Sequence, residues 1–328
     1  MGKVIRWGIL GTGKIAKAFA NGLRDTPDAE LVAVASRTVD SAASFGAAFG
    51  VARCHGSYQA LADDAGVDVI YIATPHPMHH ANALMCLNGG KAILVEKAFT
   101  VNRREAEDIV ALARAKNLFV MEAMWSRFLP AIVEAKRIVD SGEIGKVASV
   151  HADFGFAAEA GPEHRLFNPE LGGGALLDLG IYPLSLSTYF LGPVASVQAV
   201  GELGPTGVDV QTSFSLKHES GTVASGACSL RARTPCELTI SGSKGFVRLH
   251  TRFHCAERLS VELADGSRRE VALPFSGNGY PHEAIEVGRC LREGLLESPV
   301  MPLSETLHLL EVLDTMRAQI GVRYEADA

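Results

Sequence analysis

A glycine-rich turn near the start of the chain has the residue types that bind a dinucleotide. The turn reads Gly11-Thr12-Gly13-Lys14-Ile15-Ala16. Gly11 permits a tight bend, Gly13 lets the backbone approach a pyrophosphate, and Ala16 lets a helix pack closely on the preceding strand. A helix beginning here offers unpaired N–H groups and its positive dipole end to phosphate oxygens. Purely structural turns share this pattern, so its position between a strand and a helix decides the interpretation.

The residues after the second predicted strand bear on the choice between NAD and NADP. An NAD site commonly places Asp or Glu there, to accept from the ribose hydroxyls. This chain has Ser36-Arg37-Thr38 instead. Arg37 can bind a 2′-phosphate bidentately and Ser36 can donate to it, so the sequence favours NADP over NAD. A solvated surface arginine is the alternative.

Three residues could move a proton or stabilise charge on a reacting oxygen. Lys97 follows the strand predicted at residues 92–95, at the strand end where α/β proteins bind ligands. Its ammonium could stabilise developing negative charge, although a solvated lysine paired with Glu96 is the alternative. Asp178 and Tyr182 are four residues apart and share one helix face. Tyr182 is the candidate acid/base, but its reference pKa of about 10 requires a nearby cation such as Lys97. Otherwise Tyr182 is a core residue.

Strand and helix patterns alternate through residues 1–123. Short apolar runs predict strands at residues 4–10, 31–35, 69–73, 93–95 and 118–121, with helical periodicity between them. Such alternation implies right-handed crossovers and a parallel sheet covered on both faces. We therefore expect an α/β Rossmann domain with a doubly wound parallel sheet, and the glycine turn lies at its first strand–helix junction.

Residues 124–328 show a different pattern. Stretches of alternating polarity, separated by turn signals, predict strands at residues 147–154, 194–201, 210–217, 222–230, 236–241, 246–249 and 259–263. Helices are expected at residues 132–140, 283–294 and 304–320. The pattern indicates an α+β domain built on a large, mostly antiparallel sheet.

Charge and composition exclude several classes of protein. The net charge of the 328 residues is −6, and no basic run suggests a nucleic-acid or membrane-surface site. No apolar run is long enough to span a bilayer, and the first residues enter a strand instead of a signal peptide. The 6 cysteines form no C-x-x-C pair, which is typical of free thiols in a reducing compartment. We expect a cytoplasmic protein.

Four ordered motifs resemble those of the Gfo/Idh/MocA oxidoreductase family. They are the glycine turn, Thr74-Pro75-His76-Pro77-Met78-His79, Glu96-Lys97-Ala98 and Gly172-Gly173-Gly174-Ala175-Leu176-Leu177-Asp178-Leu179-Gly180-Ile181-Tyr182. The resemblance covers nearly the whole chain and is strongest to the branch of dimeric dihydrodiol dehydrogenases and NADP-dependent D-xylose 1-dehydrogenases. The chain departs from the family at Ala98, where proline is usual. Many members have histidine in place of Tyr182, but this branch has tyrosine.

The resemblance implies roles for the candidate residues. Cofactor-binding residues would be Gly11, Thr12, Gly13, Lys14, Ile15, Ser36, Arg37, Thr38, Thr74, Pro75, His76, His79, Glu96 and Lys97. Catalytic residues would be Lys97, Tyr182 and Asp178. Substrate would contact Trp125, Arg127, Phe154, Phe156, Asp178, Tyr182 and Tyr280. We expect no metal, because no ordered carboxylate or cysteine accompanies the histidines. A homodimer through the second sheet is also implied, with a tetramer as the alternative.

The expected function is hydride transfer between NADP and a hydroxyl-bearing carbon of a cyclic polyol, either the anomeric carbon of an aldopyranose or a carbon of a trans-dihydrodiol. An NADPH-dependent reductase of a keto-sugar such as an anhydrofructose would use the same residues in reverse. A dinucleotide-sensing regulatory protein without turnover is the third possibility. Retention of Lys97 together with Asp178 and Tyr182 favours an enzyme, since a sensor does not need a proton-transfer group.

Overall fold

Six short segments form a parallel sheet in the first part of the chain. The computed structural model describes residues 3–328. The strands are β1 (Ile5–Leu10), β2 (Ala29–Ala35), β3 (Arg53–His55), β4 (Val69–Ile72), β5 (Ala92–Glu96) and β6 (Val120–Ala123). They lie in the order β3-β2-β1-β4-β5-β6, and every neighbouring pair is parallel. The strand order changes direction between β1 and β4, which is where such sheets bind ligands.

Amphipathic helices connect these strands. They are α1 (Lys14–Arg24), α2 (Val39–Phe49), α3 (Tyr58–Ala62), α4 (His79–Asn88) and α5 (Arg103–Lys116). Side chains cap three of them, because Thr38 accepts from the Ser41 N–H, Ser57 from the Ala60 N–H and Asn102 from the Glu105 N–H. The predicted doubly wound Rossmann fold is confirmed. Strand β3 and helix α3 were not predicted, since both are too short to show a periodic apolar pattern.

A second sheet of eight strands follows. Helix α6 (Pro130–Asp140) precedes it, and helix α7 (Ile181–Leu191) lies between its first two strands. The strands are β7 (Val147–Gly155), β8 (Val194–Leu203), β9 (Asp209–His218), β10 (Val223–Ser229), β11 (Leu238–Gly242), β12 (Gly245–Leu249), β13 (Arg258–Leu263) and β14 (Arg268–Ala272). Their order is β14-β13-β12-β11-β7-β10-β9-β8, with only β7 and β10 parallel. The expected mostly antiparallel sheet is confirmed. The edge strand β14 was not predicted, because its residues are mostly exposed and charged.

Helices α8 (Tyr280–Glu293) and α9 (Leu303–Ile320) complete the chain. Two compact units form, one from the residues up to Trp125 together with Ser276–Leu307, the other from Ser126–Phe275 and His308–Ala328. Helix α8 therefore belongs to the first unit, where a Cβ on Gly22 of α1 would lie 2.8 Å from the Tyr280 Cβ. The boundary expected between residues 123 and 124 stays a prediction. No helix formed by residues 3–328 is long and apolar enough to cross a membrane.

Candidate active site

The glycine turn has the geometry of a phosphate-binding site. Gly11 has φ of +106°, and a Cβ there would lie 3.0 Å from the Ala73 carbonyl oxygen. Gly13 is the N-cap of α1, and a Cβ there would meet no atom within 4 Å, so its backbone faces open space. The first turn of α1 contains no acidic residue that would oppose an anion. The residues present therefore fit a dinucleotide pyrophosphate.

The end of β2 contacts this turn. The Thr12 and Ser36 hydroxyls lie 3.2 Å apart, and Arg37 is exposed. A crevice of about 360 Å³ opens beside them, lined by Thr12, Lys17, Asp40, Ser41, Ser44, Phe45 and Ala48. Lys17 is the cation in this lining, and the sequence reasoning missed it although Lys17 lies one helical turn after Gly13. These groups could hold a ribose carrying a phosphate.

Three strand ends bring the other cofactor candidates to one edge of the sheet. Leu10 pairs with Ile72, and Ile72 pairs with Val95. The glycine turn, the Thr74 loop and Lys97 therefore all follow parallel strands at the same edge. This is the crevice side of a doubly wound sheet, where its ligands bind.

Two histidines hold the backbone of the segment that carries Lys97. The His76 Nε2 lies 3.1 Å from the Lys97 carbonyl oxygen. The His79 Nδ1 lies 3.1 Å from the Ala98 carbonyl oxygen and 3.2 Å from that of Phe99. On its other side, the His79 Nε2 lies 2.7 Å from the Thr74 carbonyl oxygen. Both histidines, expected at the cofactor site, thus contact the backbone that positions Lys97.

Two opposing effects, hydrogen bonding to carbonyl oxygens and burial, set the charge state of His79. Carbonyl oxygens face both ring nitrogens and favour the protonated imidazolium. The ring is fully buried, and this burial, with a smaller contribution from His76, lowers the pKa of His79 to about 4. At neutral pH the ring is uncharged and donates through one nitrogen only.

Buried carboxylates complete the support of this segment. Glu122 accepts from the Phe99 N–H at 3.1 Å and from the Thr306 hydroxyl at 3.0 Å. The Tyr71 hydroxyl donates to Glu96, and burial raises the pKa of Tyr71 so that this proton is retained. Sequence reasoning missed Glu122, because only the fold places it next to Phe99.

A second buried carboxyl lies near Glu96. Glu283 on α8 is 0% exposed, and neither of its oxygens has a hydrogen-bond partner among residues 3–328. Burial, then repulsion by Glu96, raises the pKa of Glu283 well above its ordinary value. Burial therefore favours the protonated, uncharged form of this carboxyl.

Aromatic side chains stack at the start of α8. The rings of Trp125 and Tyr280 are 4.7 Å apart and almost parallel, at an interplanar angle of 4°. Two of the predicted substrate-binding residues are thus brought together in the first unit. Offset aromatic faces of this kind can cover an apolar ring or the flat face of a sugar.

The second unit gathers another group of candidates. Phe154 and Tyr182 have ring centroids 5.6 Å apart, and the ring of His254 stacks on Phe154 at 4.2 Å. Asp178 lies on a π-helical turn, Leu176–Gly180, immediately before α7, and Tyr182 lies in the first turn of α7. Phe156 is half-exposed at the end of β7. Sequence reasoning missed His254, whose position depends on the packing of the sheet.

Arg127 supports α7 from inside the second unit. Its side chain is buried and donates to the Ser185 hydroxyl at 2.9 Å, the Ser185 carbonyl at 2.6 Å and the Thr188 hydroxyl at 3.0 Å. The guanidinium also lies over the Tyr189 ring. Arg127 was expected to contact the substrate, and its described contacts are with α7, the helix that carries Tyr182.

Comparisons with known proteins place both parts of the chain in one family. Residues 5–124 match a model described as an oxidoreductase family with an NAD-binding Rossmann fold, and residues 132–248 match the GFO/IDH/MocA C-terminal domain. The trans-1,2-dihydrobenzene-1,2-diol dehydrogenase of Mus musculus is 38% identical over 98% of this chain and 99% of its own. That of Homo sapiens is 36% identical over the same shares.

Solved structures show the same fold. A 3-ketoreductase from Actinomadura kijaniata, in complex with NADP and TDP-benzene, is 26% identical with a TM-score of 0.85, covering 96% of this chain and 98% of its own. A levoglucosan dehydrogenase in complex with NADH and levoglucosan has a TM-score of 0.88 at 21% identity, covering 97% of each chain. At that identity the second comparison supports the fold alone.

Proposed function

Because the chain belongs to the Gfo/Idh/MocA family of NAD-binding oxidoreductases, we propose that it is an NADP-dependent dehydrogenase of cyclic polyols. It would transfer a hydride between the cofactor and a hydroxyl-bearing carbon of an aldopyranose or a trans-dihydrodiol. The observation that carries the proposal is the fixed backbone around Lys97, at the same sheet edge as the glycine turn. A surface lysine without function would not need three buried side chains to hold its backbone.

The reaction converts a secondary alcohol and oxidised cofactor into a ketone, reduced cofactor and one proton. When bound, NADP supplies the hydride chemistry. The Lys97 ammonium donates to the reacting oxygen and stabilises its growing negative charge. Tyr182, as the phenolate, accepts the hydroxyl proton, and Asp178 accepts a hydrogen bond from a substrate hydroxyl. Oxidation of an aldopyranose at its anomeric carbon likewise gives a lactone, reduced cofactor and one proton.

The first experiment measures reduced-cofactor absorbance with purified protein, NADP or NAD, and a panel of aldopyranoses and trans-diols. Turnover with one substrate class supports the dehydrogenase. The Tyr182→Phe and Lys97→Met variants should lower kcat by roughly 10²–10⁴-fold, as expected for loss of acid–base catalysis. Lys116→Met, at the exposed end of α5, is the matched control for Lys97→Met. A Tyr182→Phe enzyme with full kcat would refute the assignment of the base.

The cofactor choice is tested separately. Arg37 and Ser36, with Lys17 at the adjacent crevice, support NADP over NAD. Arg37→Ser should raise the KM for NADP about 10- to 100-fold and leave that for NAD nearly unchanged, since only NADP carries the 2′-phosphate. Arg114→Ser, at the exposed end of α5, serves as the control. Equal changes for both cofactors would contradict the 2′-phosphate site.

A keto-sugar reductase is the second candidate, because the 26% identical structure is a 3-ketoreductase. The same panel decides between the two, since a reductase consumes NADPH with ketones and gives little turnover with alcohols. Tight NADP binding without turnover in either direction would support a cofactor sensor instead.

We further propose a homodimer formed through the open face of the eight-stranded sheet. That face carries outward residues such as Ser213, Ser215 and Ser225, and a crevice of about 640 Å³. Val200 on it is 74% exposed, and small side chains let another sheet approach closely. Light scattering should give twice the chain mass for the native protein and a monomer for Ser215→Arg. A monomeric native protein would refute the proposal.

We also propose a cytoplasmic location. All 6 thiols are free, which is typical of proteins in a reducing compartment.

A further inference from the structure

An arginine contacts the carboxylate of Asp178. The Arg165 Nη2 lies 3.2 Å from the Asp178 Oδ2. The Asp178 side chain is 10% exposed, whereas that of Arg165 is 60% exposed. The carboxylate is therefore mostly buried, whereas the arginine side chain is exposed to solvent.

The backbone around the glycine run fixes Arg165 in this place. The Gly174 N–H donates to the Leu166 carbonyl, and the Gly173 N–H donates to the Asn168 carbonyl, each at 2.9 Å. A Cβ on Gly173 would lie 2.8 Å from the Arg165 carbonyl oxygen. The glycine run is therefore required so that the Arg165 backbone can pack against the turn that leads to Asp178.

Stability does not explain this ion pair. Although the Asp178 side chain is only 10% exposed, the Arg165 side chain is 60% exposed, so solvent screens this pair and it should contribute no more than about 1 kcal/mol to folding. Guanidinium carries five N–H donors in a rigid plane, the Nη2 group lies against Asp178, and 60% of the Arg165 side chain is exposed. The outward edge of Arg165 can thus donate to a ligand bound at Asp178.

We propose that Asp178 and Arg165 form a subsite for two oxygens on adjacent carbons of the substrate. The Asp178 carboxylate accepts from one hydroxyl, and the Arg165 guanidinium donates to the neighbouring oxygen. The 3.2 Å between the two groups is close to the separation of gauche oxygens on a six-membered ring. This inference rests on the proposed function and assigns recognition of the second substrate oxygen to Arg165.

The experiment compares trans-cyclohexane-1,2-diol with cyclohexanol in the native enzyme and in Arg165→Met. The kcat/KM for the diol should fall about 10- to 100-fold in the variant, because one charge-assisted hydrogen bond is lost. The value for cyclohexanol, which lacks the second oxygen, should change less than about 3-fold. If an alcohol is turned over too slowly, its inhibition constant replaces kcat/KM.

Controls separate the subsite from its alternatives. Arg165→Lys should restore part of the activity on the diol, and Arg231→Met, a similarly exposed arginine paired with Glu202, should change neither substrate. Equal losses of kcat/KM on both substrates would mean that Arg165 only orients Asp178. No loss on either substrate would mean that Arg165 and Asp178 form only a surface ion pair. Either result would refute the subsite proposal without contradicting the proposed dehydrogenase function. A native enzyme that oxidises no alcohol would refute the proposed function and this inference together.

Discussion

Replacement of His79 by leucine tests how the Lys97 segment is held. The fully buried ring lies between the Thr74 carbonyl on one side and the Ala98 and Phe99 carbonyls on the other. Leucine is similar in size but cannot donate. At neutral pH the variant should lose about 1–3 kcal/mol of unfolding free energy, the cost of leaving a buried carbonyl without its donor. Because the Lys97 backbone is released, kcat should fall more than the affinity for cofactor.

The pH dependence of this loss follows from the pKa of His79. The folded-state pKa is about 4, against an ordinary value of 6.5. Below about pH 6.5 the unfolded chain takes up a proton that the folded protein does not, so the native protein loses stability as pH falls. Each pKa unit corresponds to about 1.4 kcal/mol, so lowering the pH from 8 to about 5 should cost the native protein about 2 kcal/mol through this group. The leucine variant lacks this penalty.

Urea denaturation of both proteins at the two pH values measures the difference. The stability gap between native protein and variant should narrow by about 2 kcal/mol at the lower pH. His80→Leu is the matched control, since that neighbouring histidine contacts Asp108 at the surface. A gap that stays constant or widens at low pH would show that His79 is an imidazolium in the folded protein, and the reasoning from burial would fail.

Three further predictions concern buried groups. Glu283→Gln should raise Tm by roughly 2 °C or more near neutral pH. Because the pKa of Glu283 is raised in the folded protein, this gain should vanish as pH falls toward about 4. Replacement of the exposed Glu107 by Gln is the control and should leave Tm unchanged. Gly173→Ala should cost roughly 2–3 kcal/mol in urea denaturation and impair activity, because its Cβ would meet backbone atoms, while Gly161→Ala, with open space around it, should be neutral. Arg127→Met should lower the unfolding free energy by roughly 3–5 kcal/mol, since it removes a buried charged donor from three oxygens; a loss below 1 kcal/mol would contradict this.

Local patterns in the sequence were enough to predict much of the fold. The glycine turn needs a bend and a helix start within six residues, and the alternation of strands and helices is also local. Placement of Lys97 at a strand end follows from the same pattern. Short or polar elements such as β3 and β14 carry no such signal. The parallel pairing of β7 with β10 was equally hidden, because it joins residues far apart in the chain.

The sequence by itself determined the chemistry of each residue and most of the helices and strands that carry these residues. Both depend on neighbours within one or two helical turns along the chain. Tertiary structure alone decided the partners of each functional group. His79 contacts carbonyls about 20 residues away, Glu283 is buried beside Glu96 from a distant helix, and Arg127 donates to Ser185 and Thr188 of α7. The physical reason is that hydrogen bonds and burial penalties act over only a few ångströms. Residues far apart in the sequence come that close only when the chain packs into its tertiary structure.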